Sequence, residues 1–362
     1  MRTQTYKKSE PELVNFAGKT IYSGIDVHKN SWNVSICLDD MFVKRFHQEA
    51  DPKALHAFLT NRFPGAKYVA CYETGFSGFS VQRELSELGI ECVLAHAADI
   101  PQTNKEKLNK TDKVDSRRIA EALSKGMINS IYILDKQSEA DRAFVRYRRG
   151  CKERLKARKA AIKMKLFTLG IKIPPQFDKS HISKKYISWL SSLTFDEPIT
   201  KFTLDFMIED IEALRKKEYE LNKCLRKMSV SDRYKDIYIE LNKIPGIGLI
   251  SIMTLLTELV DISRFCSFKK INSYVGLCPT EFSSGEKSMH GKITPRANKG
   301  LRTVLVEAAW TAVSCDPAFT QKYSELCKRM KKNDAIVSIA RKILSRIYAV
   351  WSKKIDYKIG VR

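Results

Sequence analysis

Alternating apolar and polar positions mark three short β-runs near the start of the chain: TIYSGIDVH at 20 to 28, SWNVSICLD at 31 to 39 and MFVKRFHQ at 41 to 48. Joined by tight polar connections, they predict a three-stranded meander. The period then changes. Leu55, Phe58 and Leu59, between Pro52 and Phe63, have helical spacing; KYVACYE at 67 to 73 returns to a strand; SVQRELSELG at 80 to 89 is a helix closed by glycine; ECVLAHA at 91 to 97 is another strand. KTDKVDSRRIAEAL at 110 to 123 opens one more helix.

The second part of the chain is patterned for helices. From Arg142 to Lys165 there are eleven Lys or Arg and one acid, Glu153, with Leu155, Ile162, Leu166 and Leu169 as an apolar stripe, which predicts a long helix ending before Pro174-Pro175. Residues 176 to 200, with Trp189 and Pro198, predict an irregular connection or a pair of short helices. A second long helix is predicted from about Leu204 to Met228, where Leu214, Leu221 and Met228 recur every seven residues with Ile211 and Leu225 between them. That spacing suits an antiparallel hairpin with the first helix, or a coiled-coil contact with another chain. KIPGIGLISIMTLLTEL at 243 to 259 predicts a Gly-punctuated turn feeding an apolar helix. Such a turn presents N–H groups to a phosphate in helix-hairpin-helix motifs, or simply precedes a buried helix. Ser283 and Ser284 read as a polar loop before Gly285, and helices are expected at 299 to 314 and 333 to 350, the latter with Ile336, Ile339, Ile343 and Ile347 as its core stripe.

The order βββαβαβα is the layout of a ribonuclease-H-like fold, a mixed sheet flanked by helices. The fold class is thus α/β plus all-α: a leader at 1 to 19, the sheet domain at 20 to 135, a basic helical linker at 136 to 240 and a mostly helical domain at 241 to 362. Acids fall where the layout would put a metal site. Asp26 lies in the first strand, Glu73 ends the fourth before Thr74-Gly75, and Asp112 and Asp115, an i, i+3 pair on one helix face, open the late helix. Four carboxylates from three elements can converge at one sheet edge, where two Mg²⁺ ions, with Mn²⁺ as a substitute, would serve phosphodiester chemistry. Singly, each acid has a plainer reading: a strand-end turn for Asp26, an exposed charge for Glu73, and a capped helix start for Asp112 and Asp115. His28 and His96 read as surface residues at strand ends, with ligand or base as the alternative for His28.

Charge sharpens this picture. A formal charge of +23, from 64 Lys+Arg against 41 Asp+Glu, favours a polyanionic partner, nucleic acid first. No apolar run approaches the roughly 18 residues of a membrane span, and the polar start MRTQTYKKSEPE lacks a signal-peptide core, so a cytoplasmic, nucleoid-associated protein with no membrane partner is expected. Nine cysteines without a C-x-x-C pair suggest neither a zinc ribbon nor a dithiol site. Candidate phosphate contacts are Lys110, Lys113, Arg117 and Arg118 around the paired acids; Arg146, Arg148, Arg149, Lys152, Arg154, Lys156, Arg158 and Lys159 on the arm; and Lys287, Lys292, Arg296 and Arg302 after the serines.

GIDVHK around Asp26, YETG around Glu73, KTDKVDSRR, IPGIG, FKKINSYVGLCP, SSGE and the GKIT…N…LR tail together resemble the insertion sequence 110 family of transposases, across nearly the whole chain. The resemblance implies a RuvC-like domain with an Asp-Glu-Asp-Asp metal tetrad, a coiled-coil linker and a C-terminal transposase domain with a catalytic serine. Carried over, the tetrad is Asp26, Glu73, Asp112 and Asp115, and the serine is Ser284, directly before glycine, with Ser283 as the alternative. It further implies a phosphoserine link to DNA, Mg²⁺ on the tetrad, a homo-oligomer (dimer or tetramer) whose composite site draws tetrad and serine from different protomers, and a bridge RNA pairing with element and target DNA. Relatives of the family invert pilin genes. Where the family has Lys, one residue, then Gly-Asn, this chain has Pro295-Arg296-Ala297-Asn298. A structure-selective nuclease using tetrad and water, and a non-catalytic nucleic-acid-binding protein, are the alternatives.

Overall fold

A computed structural model describes residues 14–101, 112–178, 182–284, 287–294 and 297–360; for 112–114, 280–284 and 287–292 it describes the backbone alone. The chain divides into two compact units, Met1–Asp135 and Lys136–Arg362.

The first unit is a five-stranded mixed sheet built from β1 (Thr20–Val27), β2 (Ser31–Leu38), β3 (Met41–Glu49), β4 (Lys67–Glu73) and β5 (Glu91–Ala95), in the order β3-β2-β1-β4-β5. The meander β1–β2–β3 is antiparallel, whereas β1, β4 and β5 run parallel. The predicted ribonuclease-H-like layout is the observed one. Helix α1 (Pro52–Arg62) starts where the sequence says it should: Pro52 opens the first turn, and Asp51 caps it by accepting the Lys53 N–H at 2.8 Å. Together with α2 (Ser80–Glu87) it covers one sheet face, burying Leu55, Leu59 and Leu85 against Ile21, Ile25, Val34 and Tyr72. Each such fully buried aliphatic side chain contributes about 1.5–3 kcal/mol.

Helix α3 (Asp112–Ser124) covers the other face, where Ile119 and Leu123 pack with Val69, Cys71 and Ala95. Gly24 lets it approach. A Cβ there would lie 2.2 Å from the Ser116 carbonyl oxygen and 2.3 Å from the Ala120 nitrogen, so only glycine permits this helix-on-strand contact. The hydroxyls of Ser116 and Ser35 sit 3.0 Å apart beside it. Ser116 is thus level with the Gly24–Ser35 pair, while Glu121 and Lys125 act on Cys37, which pairs with Tyr22 further back along β1. Burial, with Glu121, pushes the Cys37 thiol up to about 11 despite Arg117 and Lys125. Helix α3 therefore runs against β1, and its N-terminal end points toward the Asp26 end of the sheet.

The second unit begins with α4 (Lys136–Thr168), α5 (Lys184–Ser191) and α6 (Pro198–Ser229). Helices α4 and α6 form an antiparallel hairpin: Arg148 meets Glu218 and Asn222, and Arg158 meets Asp210 further along. The intramolecular alternative for the heptad pattern is therefore realised. Helix α6 starts at Pro198, about six residues before the expected start at Leu204, because proline suits a first helical position. Leu155, Ile162, Leu166, Leu204, Ile208 and Ile211 form the hairpin's own core, with α5 and its Tyr186 packed on it.

Then follow α7 (Lys235–Asn242), α8 (Leu249–Leu259), α9 (Phe268–Val275), the hairpin of β6 (Pro279–Ser284) and β7 (Lys287–Ile293), α10 (Lys299–Cys315), α11 (Pro317–Cys327) and α12 (Lys332–Lys353). Their core takes in Val145 and Leu225 from the long hairpin as well as Ile336, Ile339, Ile343 and Ile347. In the Pro-Gly-Ile-Gly turn, Ile244 and Ile247 are buried and the Ile247 N–H is used by the Ile244 carbonyl, which favours the plainer reading of that turn. The expected polar loop at 283 and 284 is instead the end of a strand. No described helix is long and apolar enough to cross a membrane. Cys37, Cys71, Cys92 and Cys151 are buried free thiols.

Candidate active site

The β1–β4 register ends at Ile25 and Tyr72, so the next residues, Asp26 and Glu73, occupy neighbouring positions at the C-terminal ends of two adjacent parallel strands. Tyr22 and Gly24 on β1, and Val69 and Cys71 on β4, face α3; alternation puts Asp26 and Glu73 on that same face. Crevices at the carboxyl ends of parallel strands are where open sheets bind ligands. Asp26 is mostly shielded, with its side chain 20% exposed, and its Oδ2 lies 3.0 Å from Nε2 of the more exposed His28. His28 thus does more than decorate a turn.

Asp112 and Asp115 both belong to the first turn of α3. Asp115 is buried, and its Oδ1 accepts from Arg118 at 2.9 Å across an i, i+3 step. Arg118 is itself only 9% exposed. Its guanidinium, expected as a phosphate contact, is engaged with the Asp115 carboxylate. The side chains of Asp112 and Lys113, and all of Lys110, lie outside the described residues. Arg117 is exposed, donates to Glu121 at 2.7 Å and stacks on Phe42 at 4.3 Å.

Magnesium takes oxygen ligands and is usually held by one or two carboxylates. Asp26 and Glu73 are such a pair, on one face and at one edge, and the acid-bearing end of α3 is directed there. The donor set fits the metal in chemistry and in topology. Among the described residues no three His, Cys, Asp or Glu side chains gather closely enough to hold an ion.

In the second unit, Ser283 faces Ser288 and Ser284 faces Lys287 in the β6–β7 register. The side chains of Ser283, Ser284, Lys287 and Lys292, and the whole of Arg296, lie outside the described residues. Hydrogen bonds close the base of this hairpin. Thr294 donates its N–H and its hydroxyl to the Cys278 carbonyl, at 3.2 and 3.0 Å, and Arg302 Nη1 donates to the carbonyls of Thr294 and Gly276, at 3.1 and 3.4 Å. Arg302, expected as a phosphate contact, has its guanidinium engaged with backbone.

Behind the hairpin lies a buried charge that sequence reasoning missed. Glu258, on α8, is 2% exposed and receives Arg146 in bidentate fashion, at 2.7 and 2.8 Å, and the Asn298 amide at 2.9 Å. Burial disfavours its charged form, yet Arg146, Asn298 and Arg142 outweigh burial and hold the carboxyl below its ordinary range. A lone acid inside the apolar run MTLLTEL was the available signal, since buried acids are almost always paired.

The other expected arm contacts divide by burial. Arg148 is buried between α4 and α6 and bonded to Asn222 at 3.0 Å, which makes it a hairpin-packing group. Arg149, Lys152, Arg154 and Lys156 are exposed and Lys159 is half-buried; Arg158 is exposed but paired with Asp210 at 3.2 Å. Arg149 and Lys152 join Lys299 around a cavity of about 340 Å³ that Glu153 and Glu307 also line.

Two family models match the chain. One, described as "Transposase IS116/IS110/IS902 family", matches residues 239–324, and the other, a transposase model for the DEDD domain of the IS110 type, matches 23–168. The protein y4qE of Sinorhizobium fredii, named as a transposase, is 30% identical over 67% of this chain, a match spanning 57% of its own length. The transposase for insertion sequence element IS1533 of Leptospira borgpetersenii is 24% identical over 81% of this chain and 85% of its own. A pilin gene-inverting protein of Moraxella bovis is 36% identical over 30% of this chain and 34% of its own. With the matched segments containing Asp26, Glu73, Asp112 and Asp115 on one side and Ser284 on the other, the chain belongs to the IS110/IS116 family of transposases.

Proposed function

We propose that this protein cleaves and rejoins DNA during transposition, with Ser284 as nucleophile and with Asp26, Glu73, Asp112 and Asp115 holding Mg²⁺. The observation that carries the reading is the placement of Asp26 and Glu73 at adjacent strand ends, on the face toward which α3 directs its acidic first turn. When bound, the metal supplies positive charge to the phosphate and to the leaving oxygen. The protein's own groups do the rest. The Ser284 oxygen forms a bond to phosphorus as its proton is lost; one phosphorus–oxygen bond of the DNA breaks, and the departing oxygen is protonated to a hydroxyl. The phosphoserine ester is then attacked by a hydroxyl of the other DNA, which restores the serine. No net hydrolysis occurs. Family membership supports a homo-oligomer and an element-encoded bridge RNA that selects both DNAs by base pairing while the protein reads backbone shape.

Suicide DNA substrates test the chemistry. A covalent protein–DNA adduct is expected with Mg²⁺, and it is expected to vanish in Ser284→Ala while persisting in Ser283→Ala. Metal-dependent hydrolysis without an adduct, unaffected by Ser284→Ala, would establish the nuclease reading instead.

A further inference from the structure

We propose that Arg302 is a positioning residue for the nucleophile: it clamps the base of the β6–β7 hairpin, and the buried Glu258 fixes that clamp through Asn298. The inference rests on Ser284 being the nucleophile. Ser284 stands at the far end of a two-stranded ribbon, and a two-stranded hairpin is at best marginally stable on its own. Its aim must come from what grips its base.

Two devices grip it. Thr294 closes the ribbon on Cys278 with two hydrogen bonds, and Arg302 spans from Thr294, after β7, to Gly276, before β6. One planar guanidinium thus ties both ends of the hairpin to α10. The anchorage of α10 is equally specific. Asn298 caps it by accepting the Leu301 N–H at 3.1 Å, donates its own N–H to the Tyr274 carbonyl at 3.1 Å, and donates its amide to Glu258. The Arg302 N–H returns to the Asn298 carbonyl at 3.1 Å, so the cap and the clamp are one hydrogen-bonded turn. Glu258 also takes Arg146 from α4. A carboxylate enclosed this completely, held by Arg146 of α4 on one side and by the Asn298 cap on the other, defines where α10 starts and so where Arg302 reaches.

The test uses the full chain. Arg302→Ala and Glu258→Gln are compared with wild type for amide hydrogen exchange across 277–294 and for adduct formation at saturating and at limiting DNA. Faster exchange in that segment is expected, with an adduct rate at saturating DNA lowered about 10- to 100-fold, the penalty of a nucleophile misplaced by about an ångström. The DNA concentration giving half-maximal rate should not move. Arg302→Lys should recover part of the rate, since an ammonium can still donate to one of the two carbonyls, and it carries the measurement if either other variant fails to fold. Unchanged exchange across 277–294, or weaker DNA binding with an unchanged saturated rate, overturns the proposal and returns Arg302 to the phosphate contacts. If Ser284→Ala still forms the adduct, the nucleophile reading fails, and exchange alone then decides the clamp.

Discussion

At the scale of single residues, the candidate site depends on one missing methyl group. Gly24→Ala would drive a Cβ into the backbone of α3, 2.2 Å from one atom and 2.3 Å from another, and neither belongs to a side chain that can swing away. The helix must lift from β1. Overpacking of this kind costs about 1–3 kcal/mol, and urea denaturation of the variant should show it, together with slower DNA cleavage, because the same helix carries Asp115. Gly150 provides the contrast. It lies within α4, and a methyl group added there would meet nothing within 4 Å, so Gly150→Ala should stabilise by about 1 kcal/mol through helix propensity alone. Equal responses from the two glycines would refute the packing account. Asp26 and Glu73 were legible in the sequence because strand alternation and order suffice to put two strand ends side by side. Glu258 was legible at most as a buried acid in an apolar run; its partner was not, because Arg146 is 112 residues away in the chain.

At the scale of elements, the strands and helices of the first unit followed from period alone, while the β6–β7 hairpin did not. Its sequence, PTEFSSGEKSMHGKI, has too few apolar residues to show alternation, so it reads as a loop until the partner strand is seen. Helix α11 was also unforeseen. The long α4–α6 hairpin was legible as helices, but not which cations it encloses. Arg148→Ala should leave Glu218 without its buried partner and destabilise by about 3 kcal/mol, yet leave the salt dependence of nucleic-acid binding unchanged. Lys156→Ala, at an exposed position, should do the reverse and reduce the slope of log K against log salt by about 0.9 if it meets a phosphate. The joint of α4, α8 and α10 makes a pH prediction. Because Glu258 is held below its ordinary value of 4.5, the folded state binds fewer protons than the unfolded one there. Its contribution is complete above 4.5 and is lost as pH falls through the lower folded value. Wild type should therefore lose stability in that acid window more steeply than Glu258→Gln, as thermal unfolding across pH would record.

For the whole molecule, binding and chemistry should separate, because different charges serve them. The excess of 23 positive charges acts on any phosphate backbone through counterion release and needs no carboxylate. In the proposed reading, cleavage needs the acids and needs them to hold metal. Chelation with EDTA is thus expected to abolish adduct formation on DNA while leaving nucleic-acid affinity at fixed ionic strength essentially intact, and Asp26→Asn should reproduce both effects without chelator. Restoring Mg²⁺ should rescue wild type and fail to rescue the variant. RNA released from the purified protein supplies the second arm: element-flanking sequence should dominate it if pairing selects the DNA, since surface cations alone would gather host RNA at random. Loss of binding on chelation would mean that metal organises the nucleic-acid surface itself. An adduct that survives both EDTA and Asp26→Asn would remove the acids from the chemistry, and the conjunction of strand ends and helix start would then be architecture alone.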